Sequence, residues 1–127
     1  MRIHAAFRAI ALSAVLMSVL SACTNTSSYT PLLNAEPESG AVLQRPPRTL
    51  RLFFNALPDV ELSSLTLHGP DGEYPLRGMH TMAADDLMVE IVNPSIPSGN
   101  YSVQWSTVVG ADPTIYSGSI DFIVQAE

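Results

Sequence analysis

The chain has 127 residues, 12 acids against 6 basic side chains, and a net charge of −6. That balance excludes a surface built to grip nucleic acid or an anionic headgroup layer. A single cysteine excludes an intrachain disulfide, and the length leaves room for one modest domain.

The first element is an export signal. Arg2 and Arg8 give a positive start, and Ala9 to Leu20 is an apolar run. The run is too short to span a bilayer as a helix, which takes roughly 20 residues, and it fits the h-region of a secretory leader. It ends in Leu20-Ser21-Ala22-Cys23, which resembles a bacterial lipobox. The expectation is a lipoprotein signal peptide over 1–22, with cleavage before Cys23 and a diacylglycerol on its thiol. A lipid acceptor accounts for a lone cysteine in an exported chain. The mature chain then keeps four arginines, no lysine and all twelve acids, a net charge near −8. With no basic patch, its hold on a membrane comes from the acyl chains. Thr24 follows the cysteine. By resemblance to well-studied Gram-negative lipoproteins, where Asp at that position favours the inner membrane, this leans to the outer membrane. The lipidated Cys23 and the small polar residues after it, through Ser28, form a flexible tether.

Residues 29–127 read as one domain. All ten prolines lie after Cys23, which argues against long helices. Period-two alternation predicts strands. Leu50, Leu52 and Phe54 form one inward face, and Leu65 and Leu67 begin another that ends at His68. Gly69-Pro70-Asp71-Gly72 is a turn. Asp85-Asp86 is placed in a hairpin turn before the alternating Leu87, Val89 and Ile91. Tyr101, Val103, Trp105 and Thr107 give the cleanest alternation, with Trp105 as a core anchor. Asp112-Pro113-Thr114 makes a tight turn, and Gly118 lets the chain enter a last strand with Ile120, Phe122 and Val124 facing in. The pattern is an all-β, immunoglobulin-like sandwich of about seven short strands.

Pro37-Glu38-Ser39-Gly40-Ala41-Val42-Leu43, then Pro46-Pro47 and Leu50 to Asn55, resemble the opening of CopC-like copper-resistance domains. Gly99-Asn100-Tyr101-Ser102-Val103-Gln104-Trp105 is similar to that family's Trp strand, and Asp112 to Gly118 to its closing loop. The resemblance implies a seven-stranded Greek-key β-sandwich in the periplasm that binds copper and contributes to copper tolerance. In many members an N-terminal His and a D-x-H loop hold Cu(II). Here Tyr29 falls on the first His position, Asp112 on the loop Asp and Thr114 on the second His. Only Asp112 remains as a ligand, so the Cu(II) site is expected to be degenerate, with Ile115 and Tyr116 packed over it against Tyr29. A lone carboxylate does not hold Cu(II) against competing ligands.

Other members bind Cu(I) through methionines, because thioethers are soft ligands. A replacement Cu(I) cluster is open to His80 and Met82 with His68, Met79 or Met88; the alternative is that the methionines fill the core and the histidines sit at strand ends. No G-x-S-x-G or other nucleophile motif points to an enzyme. The competing functional class is a metal-free interaction module whose loops bind an envelope protein partner.

Overall fold

The computed structural model describes residues 29–126. The expected signal peptide, the acceptor Cys23 and the tether lie outside the described residues.

The domain is all-β, with nine strands in two sheets. In chain order they are β1 (Leu32–Glu36), β2 (Ala41–Leu43), β3 (Thr49–Phe54), β4 (Ser64–Gly69), β5 (Gly72–Tyr74), β6 (Leu76–His80), β7 (Asp86–Ile91), β8 (Gly99–Thr107) and β9 (Tyr116–Val124). One sheet runs β1-β3-β7-β6 and the other β2-β9-β8-β4-β5. All pairs are antiparallel except β2 with β9. The count exceeds the expected seven because β2 and β5 are three-residue edge strands. Strands that short carry no readable period of two.

The two inner faces make the core. Leu50, Leu52, Phe54, Leu87, Val89 and Ile91 come from the first sheet. Leu67, Tyr101, Val103, Trp105, Ile120, Phe122 and Val124 come from the second. Full burial of a large apolar side chain contributes about 1.5–3 kcal/mol. Trp105 meets Phe54 edge-on across the sandwich at 5.5 Å, and Tyr101 stacks on Phe122 at 5.3 Å.

Two expectations are corrected here. Gly118 lies inside β9, opposite Trp105. Its role is to leave room for the indole, because a Cβ there would sit 2.8 Å from Trp105 Cζ2. Asp85 does precede the strand, but Asp86 is the first residue of β7 and is wholly buried. A buried carboxylate needs a partner, and Arg51 supplies it: Nε donates to Asp86 Oδ2 at 2.6 Å.

Three connections gather at one end of the sandwich: 55–63 after β3, 81–85 after β6 and 108–115 after β8. The entering chain at Tyr29–Pro31 joins them. Asp59 N–H donates to the Val108 carbonyl and Gly110 N–H to the Leu57 carbonyl, each at 2.8 Å. Phe54 N–H donates to the Asp85 carbonyl at 2.8 Å, and Asn55 N–H to the Pro31 carbonyl at 3.0 Å. This tip carries both candidate metal corners.

Candidate metal corners

The first corner holds the positions that the resemblance assigned to Cu(II). Asp112 forms an Asx turn in which Thr114 N–H donates to Oδ1 at 2.9 Å. Tyr116 then donates its hydroxyl to Oδ2 at 2.6 Å. Both carboxylate oxygens therefore accept bonds from their own loop. The Tyr116 bond first, then the Thr114 backbone N–H, hold the Asp112 carboxyl below the usual carboxylate range. The same bond raises the Tyr116 phenol above its ordinary value.

Tyr29 packs edge-on against Tyr116 at 5.6 Å, and Asn55 Nδ2 donates to the Tyr29 hydroxyl. The expected packing of Tyr116 against Tyr29 is therefore observed, whereas Ile115 is 70% exposed and does not cover the corner. Tyr29 meets Tyr116, whose hydroxyl bonds Asp112, and Thr114 bonds Asp112 through its backbone N–H. They offer one carboxylate, already engaged, and no imidazole.

The second corner lies at the end of β6. His80 is the last residue of β6 and stands opposite Met88 of β7, which puts both side chains on the same outer face. Met82 follows in the β6–β7 connection, and its Sδ lies 3.0 Å from His80 Nε2. The other ring nitrogen, Nδ1, contacts the Gly78 carbonyl. A carbonyl only accepts, so Nδ1 carries the proton. In the neutral ring Nε2 then presents its lone pair to a thioether sulfur, itself an acceptor. Both are donors that soft metal ions accept.

Asp86 arranges this corner. Its Oδ1 accepts the Met82 backbone N–H at 2.8 Å, while its Oδ2 holds Arg51. The carboxylate thus pins the Met82 connection and pairs with the Arg51 guanidinium. Arg51 also covers the Phe53 ring, 4.5 Å from its centroid. Connection 81–85 includes Ala83 in the left-handed region at φ 55°.

Two members of the expected Cu(I) cluster are elsewhere. His68 lies on β4 of the opposite sheet, on the outward side from the buried Leu67, with its Nε2 3.1 Å from Thr66 Oγ1. Met79 packs against the core. Strand alternation separates Met79 from His80, and the sandwich separates His68 from both. Among the described residues no three His, Cys, Asp or Glu side chains gather to hold a metal. The His80 corner relies on thioethers instead. The Arg51–Asp86 pair was not anticipated; its only sequence signal was Asp86 in phase with the outward Met88 and Glu90.

The two-sheet arrangement and the loop order at this tip match a known family. The CopC domain profile fits residues 32–125. The chain belongs to the CopC domain family. CopC from Methylosinus trichosporium OB3b superposes with a TM-score of 0.66 at 20% identity, covering 77% of this chain and 95% of that one. PcoC, a methionine-rich copper resistance protein from Escherichia coli, gives 0.65 at 21% identity, covering 74% and 96%. At these identities the likeness establishes the CopC fold. Comparison with curated proteins gives no match. In this CopC domain the loop after β8 carries an Asp112 locked by Tyr116.

Proposed function

We propose that this CopC domain handles copper at the bacterial envelope, facing the periplasm and anchored through lipid on Cys23. Membership of the family and its fold likeness to copper-resistance proteins support the copper role. The family Cu(II) position is degenerate, because Tyr29 and Thr114 replace its imidazoles and Asp112 is spent on internal bonds. The copper contact of this chain is the thioether–imidazole corner of His80, Met82 and Met88. Its donors are soft or borderline, which suits Cu(I).

One observation carries this reading: His80 Nε2 faces Met82 Sδ at 3.0 Å while Nδ1 is committed to Gly78. The protein binds and passes the ion rather than transforming a substrate. The test is titration of the full-length protein with Cu(I) and with Cu(II) against competing chelators. One Cu(I) bound more tightly than micromolar is expected, with Cu(II) weaker. If neither ion binds tighter than micromolar, copper handling fails for this chain. A metal-free module for an envelope partner then becomes the better reading, favoured by exposed Leu57, Leu62 and Ile115 on the loops.

A further inference from the structure

The exposed large apolar side chains are unevenly placed. Among the described residues, Tyr29, Leu33, Leu57, Leu62, Met82 and Ile115 are 46–70% exposed and lie at or beside the tip. The remaining two, Val42 and Val92, belong to the far half, on β2 and just after β7. Singly scattered apolar residues need no explanation, but a cluster at one end marks a contact surface. The underlying loops are firm. Asp59 caps the 3-10 turn Val60–Leu62 through the N–H groups of Glu61 and Leu62. Cross-loop backbone bonds tie that turn to the 108–110 segment. Leu57, Leu62 and Ile115 are thus held outward by a braced scaffold.

The chain entering the domain indicates what they meet. Tyr29 is part of the tip, and Cys23 stands only six residues before it. A chain that short reaches about 20 Å when fully extended. The nine-residue strands β8 and β9 give the sandwich a long dimension of about 30 Å. An anchor at Cys23 therefore brings the tip, and not the far end, to the bilayer. The apolar run Ala9–Leu20 would do the same if it stayed attached.

Charge decides the kind of lipid. The tip loops 55–63, 81–85 and 108–115 hold Asp59, Glu61, Asp85 and Asp112 and no arginine or lysine. Arg45 and Arg48 lie between β2 and β3, at the far end. Anionic headgroups would be repelled, whereas apolar insertion into a zwitterionic interface needs no basic residue. We propose that the tip of this domain is a membrane-docking surface, seated in the headgroup boundary of a zwitterionic bilayer through Leu57, Leu62, Ile115 and Tyr29. This rests on the lipid anchor proposed above.

The test uses the full lipidated chain in vesicles of phosphatidylethanolamine and phosphatidylcholine. With Cys23 acylated, one added cysteine carries a fluorophore: Leu62→Cys or Ile115→Cys at the tip, Val42→Cys or Val92→Cys at the far end. Nitroxide-bearing lipid is expected to quench the tip labels at least threefold more than the far labels, with no gain from added anionic lipid. Leu62→Asp with Ile115→Asp is expected to remove that excess at a Leu57→Cys label while the protein still floats with vesicles. Equal quenching at all four positions in floating protein overturns the docking and leaves the anchor standing. Tip labels shielded from a soluble quencher but untouched by lipid nitroxide also overturn it, because a protein then covers the tip. Loss of flotation by the unsubstituted chain defeats the anchor, and the docking with it.

Discussion

The two corners of the tip differ in where their lone pairs go. At the first, Asp112 spends both oxygens on Thr114 and Tyr116, and Tyr29 closes over the phenol. At the second, His80 and Met82 direct donors at each other with no proton shared between them in the neutral ring. The lesson is that donor identity alone does not make a site. A carboxylate that caps its own turn stabilises the fold and is withdrawn from a metal, while an imidazole tied at one nitrogen is left with the other available.

The contrast can be broken most directly at Asp86. Asp86→Ala leaves Arg51 without its buried partner and frees the Met82 N–H. Losing hydrogen bonds to a charged group costs about 1.5–3 kcal/mol. For a domain near 100 residues that is a fall in Tm of more than about 6 °C, read by thermal unfolding. Cu(I) binding is expected to weaken in the same protein, since the Met82 connection loses its pin.

His80→Ala tests the site itself. Cu(I) affinity is expected to fall by roughly two orders of magnitude, about 2.7 kcal/mol, in chelator competition. Met82→Ala is expected to cost less, roughly tenfold, because Met88 remains. Asp112→Ala is expected to leave Cu(I) affinity unchanged. An equal loss at Asp112 would erase the distinction between the corners.

Acid titration gives a smaller effect. The folded carboxyl of Asp112 lies below its normal value of 3.8. Its contribution to stability is full above that value and is lost as pH falls through the lower, folded one. The window is therefore below about pH 4. Asp112→Asn is expected to flatten that part of the acid limb in pH-dependent unfolding, with little change near pH 7. The smallest expectation is none: Thr114→His does not create tight Cu(II) binding. Tyr29 still packs on Tyr116, and Asp112 stays bonded to that phenol. Tight Cu(II) binding by that variant would show the corner to be open.

Much of the fold was legible because alternation is a local property. Tyr101, Val103 and Trp105 face inward as their spacing predicts, and the buried Leu50, Leu52 and Phe54 do the same. The short edge strands β2 and β5 escaped notice, since three residues carry no period and their pairing partners lie far along the chain. At the site, His80 and Met82 stood out as soft donors two residues apart. Their contact does not come from a shared strand face, because β6 ends at His80 and Met82 belongs to the connection. The partner that holds Met82 there, Asp86, read as a turn residue.

By itself the sequence determined the class of the domain and the inward faces of its long strands. These follow from residue type and spacing along one chain. Only the tertiary structure decided that His68 stands on the opposite sheet, that Gly118 makes room for Trp105, and that Arg51 and Asp86 meet. Each depends on register between strands distant in sequence, which the packed core selects and no local pattern encodes. The same holds for the tip, where Leu57 and Leu62 of connection 55–63 and Ile115 of connection 108–115 are set at one end by the closing of the sandwich.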